Sequence, residues 1–332
     1  MRSLPPVGAV CAALASCFCC LCCVCGAPTG SPYKCSAGGH PKYQLVFTGR
    51  WSQTSFPKQY PLFRPPAQWS TLVAVVHGRP FQMWRASRFA SPGVREMSER
   101  GEAWGIMREV DAHAQARTAA ARPPAVAGVF SAPALPNGTG QSLTELEFTA
   151  KQPLLSLMVR LVPSPDWFVG VDSLNLCEGE RWKERLSLDL QPYDAGTDNG
   201  FTFSSPNYAT IPQEPITQIT SSSPSHPANS FYYPKLKQLP PLARLVLTRI
   251  GKRPHSSKKA PPKGNDIEQL TETPLDCEVA KWSPWGLCSV DTCGQPGVKR
   301  RTRYIRVKPA NQGAPCPELE EETECSAPNC SV

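Results

Sequence analysis

The segment "CEVAKWSPWGLCSVDTCG" (277–294) constrains this chain more than any other, setting three cysteines and two tryptophans where little else can form a core. From 277 to 332 there are eight Val, Leu or Ile and no Phe or Met, so burial alone cannot hold the unit together. Its six cysteines (Cys277, Cys288, Cys293, Cys316, Cys325 and Cys330) can supply three disulfides, for which spacing permits fifteen pairings. The tryptophans need partners too, and "GVKRRTRYIRV" (297–307) offers them: along a strand, Lys299, Arg301 and Arg303 project from one face. Their cations can slot between the indoles of Trp282 and Trp285, each contact worth about 0.5–1 kcal/mol when exposed. Layers of indole and guanidinium then stand in for an oily interior.

Structural disulfides imply an oxidising compartment. Seven of the fifteen cysteines (Cys11, Cys17, Cys19, Cys20, Cys22, Cys23 and Cys25) crowd a short apolar run that follows Arg2 and ends in the small residues Gly26 and Ala27. That layout is read as a signal peptide over 1–27, whose removal leaves an even eight cysteines. A membrane anchor or a palmitoylated cluster is the alternative. No later stretch is long and apolar enough to span a bilayer. The mature protein is therefore expected to be extracellular, with its thiols paired.

Residues 251–276, with four prolines, no aromatic residue and scattered charge, read as a basic, Pro-rich linker. It divides a large domain (28–250) from the cysteine-rich unit (277–331). The large domain keeps only Cys35 and Cys177, which most simply bond to each other. Runs at 43–51, 70–76, 154–162, 167–176, 185–190, 200–205 and 242–250 carry β-branched, aromatic and leucine residues between Pro, Gly, Asn and Asp turns, and predict strands. One helix is predicted from Ser91, an N-cap followed by Pro92, with Val94, Met97, Trp104, Met107 and Val110 on its apolar stripe. Mainly β, with an antiparallel β-sandwich carrying a helical insertion, is the expected fold class.

WxxWxxC, then TCG, an R-x-R strand and three late cysteines resemble a thrombospondin type 1 repeat, a small three-stranded, disulfide-rich ribbon. The resemblance implies the pairing Cys277–Cys316, Cys288–Cys325 and Cys293–Cys330, and C-mannosylation of Trp282. Val279 stands where many repeats carry a further Trp, so the ladder is shorter here. Upstream, "FTGRWSQTSFPKQYPLFRPPAQWS", "VPSPDWFVGVDSLNLC" and "PYDAGTDNGFTFSSPN" resemble the spondin domain of the F-spondin family. That resemblance implies a matrix adhesion protein that binds integrins, supports neuronal adhesion and outgrowth, and recognises microbial lipopolysaccharide and other surface glycans as an opsonin of innate immunity. A secreted modulator that sequesters growth factors or proteases is the rival reading.

Glu147, Asp166 and Asp194 stand at the ends of proposed strands. Loops at one end of a sandwich can gather oxygen ligands for a hard cation such as Ca²⁺, whereas residue types alone favour turn-stabilising carboxylates. The family resemblance implies that these three hold a divalent metal, with Glu145 and Asp198 as further candidates. Net charge is +8, and Lys235–Lys263 contains nine Lys or Arg and no Asp or Glu. Lys252, Arg253, Lys258 and Lys259 there suit polyanions such as sulfated glycosaminoglycans, or serve as a solvated linker. Asn137-Gly-Thr is a glycosylation sequon. Nucleic acid is not an expected partner, and self-association is left open. The five histidines form no HExxH, and neither GxSxG nor a P-loop occurs, so no enzyme is expected.

Overall fold

The computed structural model describes residues 35–251, 271–290 and 296–326. Its elements run β1 (Lys42–Arg50), β2 (Gln68–Trp69), β3 (Leu72–His77), α1 (Pro92–Arg100), α2 (Trp104–Ala119), β4 (Val126–Ala132), β5 (Thr139–Glu147), β6 (Leu154–Val162) and β7 (Trp167–Asn175). Then come β8 (Cys177–Glu178), β9 (Arg181–Trp182), β10 (Arg185–Leu190), β11 (Pro192–Asp194), β12 (Thr217–Gln218) and β13 (Ala243–Ile250). The C-terminal unit holds β14 (Glu278–Val279), β15 (Gly297–Thr302), β16 (Ile305–Val307) and β17 (Glu320–Cys325).

Two antiparallel sheets face each other. One is ordered β10-β13-β1-β5; the other runs β12-β11-β7-β6-β3-β4, with β2 added beside β6. In β1, Tyr43, Leu45 and Phe47 point inward and are buried, while Lys42 and Gln44 stay exposed, the period of two expected of a sheet with one wet face. In β3 all six residues are buried, because the second sheet is covered on both sides. Leu72, Ala74 and Val76 join the core between the sheets, together with Leu155, Leu157, Trp167 and Val169. Val73 and Val75 instead join Val94, Met97, Ile106, Val110, Met158 and Phe168 beneath the helices. The sandwich thus has a third layer, which explains the near-continuous apolar runs at 72–76 and 154–162.

The single predicted helix is a helical hairpin. Ser91 caps α1, its Oγ accepting from the Val94 amide at 3.2 Å, and Gly101 ends it in the left-handed region at φ 76°. The break resets the helical phase, so Ile106 and Val110 are buried whereas Trp104 and Met107 are exposed. Residues 200–205 do not form the predicted strand. Ser205 closes a turn onto the Thr202 carbonyl, and Phe203 enters the core from that turn, against Trp51, Trp167 and Phe231.

Cys35 bonds Cys177 with Cα atoms 5.8 Å apart, tying the start of the domain to the end of β7. In the C-terminal unit, Cys277 bonds Cys316 and Cys288 bonds Cys325. Cys293 and Cys330 lie outside the described residues, as do residues 1–34 and the basic residues Lys252, Arg253, Lys258 and Lys259. The expected three-stranded ribbon is resolved into two pairings, β15 with β17 and β14 with β16, along one chain segment interrupted after Thr302. Residues 271–276, read from sequence as the end of an unpacked linker, are packed: Thr273 and Leu275 are buried, and Leu275 joins the core of the sandwich.

Candidate cation centre and Trp–Arg ladder

Asp166 and Asp194 meet at one end of the sandwich. β6 ends at Val162, and Ser164 turns the chain, its Oγ accepting from the Trp167 amide at 3.2 Å; this leaves Asp166 fully buried at the entry to β7. Antiparallel pairing of β11 with β7 sets Asp194 opposite Trp167, and the Trp167 indole donates to Asp194 Oδ2 at 3.1 Å. The chain then doubles back at Gly196, whose φ of 72° and contact with the Glu214 carbonyl leave no room for a Cβ. That turn aims the next residues at Asp166, whose Oδ2 accepts from the Thr197 amide (2.7 Å), the Thr197 hydroxyl (3.1 Å) and the Asp198 amide (3.0 Å). Asp166 Oδ1 is buried with no hydrogen-bond partner.

Two neighbouring carboxylates, one fully buried and one half-buried, disfavour each other's ionisation. Burial first, and the Asp194 charge second, push Asp166 up to about 8. Burial raises Asp194 to about 6, with Glu214 and Asp198 adding to the rise. Arg160 supplies positive charge nearby. Its guanidinium donates to the Ser98 carbonyl at 2.7 Å and the Ser164 carbonyl at 2.8 Å, and it attracts Asp166, Glu99 and Asp198 while burial lowers its own pKa. Arg160 and Asp198 also line a cleft of about 670 Å³ with Arg64, Glu99 and Asn207. An unpartnered carboxylate oxygen beside a second carboxylate is the kind of donor a hard cation takes. Among the described residues, no group of three His, Cys, Asp or Glu side chains has metal-holding geometry.

Glu147 does not belong to this centre. It pairs with Lys42 at one end of β1, whereas Gly49 at the other end aligns with Ala243, which aligns with Leu190, just ahead of β11. Seven residues of strand, about 23 Å at 3.3 Å each, lie between those rows, and Glu147 is exposed. Glu145, two residues away on the same edge strand, is exposed as well. A strand-end carboxylate carries no sequence mark of which end of the sandwich it occupies. Asp198 does sit beside the pair, but its Oδ1 and Oδ2 accept from the Gly200 and Tyr208 amides. Sequence reading missed Arg160, although a lone arginine inside "LLSLMVRLV" was the available signal.

In the C-terminal unit the ladder runs Arg303, Trp282, Arg301, Trp285, Lys299. The Arg303 guanidinium lies 4.1 Å from the Trp282 ring, Arg301 lies 5.0 Å from Trp282 and 4.5 Å from Trp285, and Lys299 lies 5.4 Å from Trp285. Arg301 also donates to Glu321 at 2.7 Å, and Arg303 to the Glu318 carbonyl at 2.8 Å. Arg300, on the other face, pairs with Glu322 at 2.7 Å. Asn137 is exposed at the turn before β5. His77 is a satisfied core residue, its ring nitrogens at 2.9 Å from the Gly78 carbonyl and 2.8 Å from the Ser156 hydroxyl. No described helix is long and apolar enough to cross a membrane.

A β-sandwich coupled to a disulfide-bonded Trp–Arg ribbon defines a modular matrix protein of the type that pairs a spondin domain with a thrombospondin repeat. The Spondin_N family profile matches residues 41–241, and the Spondin-like TSP1 domain profile matches 277–330. The chain belongs to the spondin family, whose members are non-enzymatic and generally extracellular. It is 55% identical to human Spondin-2 across 99% of this chain and all of that one, and 56% identical to rat Spondin-2 across 92% of each. Mouse Spondin-1 is 33% identical across 90% of this chain and 37% of that longer protein.

Proposed function

We propose that this chain is a secreted matrix adhesion protein that engages integrins and microbial lipopolysaccharide or other surface glycans, acting as a pattern-recognition molecule and opsonin and supporting neuronal adhesion and outgrowth. The observation that carries this reading is the presence of both modules in one chain that aligns end to end with Spondin-2. The ladder supports it physically, since stacked cations held in register by indoles present positive charge to anionic glycans. The basic residues Lys252, Arg253, Lys258 and Lys259 add a second polyanion contact, for sulfated glycosaminoglycans. Trp282 takes the C-mannosyl group and Asn137 an N-glycan, both readable by intact-mass analysis.

Asp166 and Asp194 hold a divalent cation, Ca²⁺ by the hardness of carboxylate and carbonyl oxygens. The cation supplies charge neutralisation to two carboxylates that otherwise repel. Asp166 Oδ2 anchors the 197–198 loop while Oδ1 is left to the ion. The adhesive function is tested with immobilised protein: integrin-bearing cells attach, and antibodies against the integrin block them. Failure to attach would leave the rival reading, a secreted modulator that sequesters growth factors or proteases.

A further inference from the structure

We propose that the spondin domain and the repeat are one cooperative body, latched where Thr54 and Lys58 of the first meet Glu278 and Asn311 of the second, and Thr273 of the segment that joins them. Modules joined by a polar linker move relative to each other unless a substantial interface stops them. Here three kinds of contact coincide. The Thr54 carbonyl accepts from the Thr273 amide at 3.1 Å and from Asn311 Nδ2 at 2.7 Å, and the same Asn311 amide group donates to the Thr273 carbonyl at 2.8 Å. Asn311 adopts a left-handed φ of 49°, a conformation asparagine tolerates better than most residues. Leu275 exchanges both backbone hydrogen bonds with Ala310, at 3.0 and 2.9 Å. It is counted in the sandwich core, and Val307 and Ala310 pack against that core from the repeat.

The third contact is electrostatic. The Lys58 side chain is 1% exposed, an unusual position for an ammonium, which is tolerated inside a protein only with oxygens and opposite charge around it. Its Nζ donates to the Pro227 carbonyl, lies 3.5 Å from the Tyr232 carbonyl and sits 5.5 Å from the Tyr232 ring. The carboxylate facing it, Glu278 Oε1 at 3.9 Å, comes from the repeat. Undocking the repeat would strip a buried cation of its counter-charge. Lys235 and Asp276 form a further ion pair at the same junction. A consequence is that ligand sites on the two modules are held at a fixed span, so that a surface presenting both ligands is engaged without linker entropy.

The test is calorimetry and hydrogen exchange on the full-length secreted protein. The wild type should melt in a single transition, with the Thr273 amide protected. Asn311→Ala and Glu278→Gln should each lower that protection about ten-fold, the loss expected when one such contact is removed. Arg300→Ala, which removes a side chain paired with Glu322 and absent from the latch, should not change it. Lys58→Met placed in the Glu278→Gln background should restore protection, because no buried charge is then left unpaired. Two separate transitions in the wild type, or a Thr273 amide exchanging as in an unstructured peptide, would overturn the proposal. So would Asn311→Ala and Glu278→Gln variants indistinguishable from wild type.

Discussion

Arg301 is the rung on which the ladder hangs, and replacing it with alanine should measure what the stack is worth. Its guanidinium is sandwiched between two indoles, at 5.0 and 4.5 Å, and paired with Glu321 at 2.5 Å. Two cation–π contacts contribute about 1–2 kcal/mol in total. The ion pair, with Arg301 28% and Glu321 43% exposed, adds no more than about 1 kcal/mol after screening. Arg301→Ala should therefore cost about 1–3 kcal/mol in denaturant unfolding. Arg301→Lys should fall between, keeping the charge but losing the planar face. Each kcal/mol should move the melting temperature by about 2–4 °C if the repeat melts with the whole body, and by more if it melts alone. Arg306→Ala, off the ladder, is the control, expected within about 0.5 kcal/mol of wild type. If Arg301→Ala costs no more than Arg306→Ala, the stack does not replace a core and the reasoning fails.

Two further outcomes are expected. Replacing Cys35 and Cys177 with alanine frees a loop of 142 residues, which in the chain-entropy model costs about 5 kcal/mol; a loss below about 1 kcal/mol by denaturant titration would show that the bond closes no costly loop. Burial holds the His77 pKa below its ordinary 6.5, so the unfolded chain takes up the proton first and stability falls as pH drops through about 6.5 and below. His77→Gln should flatten that part of the stability profile between pH 7 and 5; an unchanged slope would contradict the assignment.

Much of the fold was legible because each strand carried its own local signal. The alternation in 43–51 sets one face of β1 inward, and the turn residues around 163–166 end β6 where they should. The ladder was legible for the same reason: period two along 299–303 is a local property. What escaped the sequence were relations between distant segments. The helical hairpin covers the outer face of the larger sheet, yet an apolar strand such as 72–77 looks alike whether its second face meets a helix or a sheet. Gly101 breaks the helix, and the phase change exposes Trp104, which a continuous helix would have buried. "GFTFSS" has strand composition, but Phe203 is committed to the core through a turn. Glu147 lies at the other end from Asp166, and a carboxylate's sequence neighbours do not say which end of the sandwich it occupies. Asp166 and Asp194 do share one end, because the register of β11 on β7 brings them there. Residues 271–276 looked like linker for want of aromatic groups, while a single leucine and two backbone hydrogen bonds to Ala310 suffice to dock them.

The account of the site turns on whether the Asp166–Asp194 pair receives a cation. Isothermal titration of chelator-treated protein with Ca²⁺ tests it most directly. The wild type should give a saturating single-site binding heat. Asp166→Asn, which can keep the Oδ2 acceptor but lacks the charge and the vacant oxygen, should give none while folding at least as stably without the ion. No heat from the wild type, or equal heat from Asp166→Asn, would contradict the account.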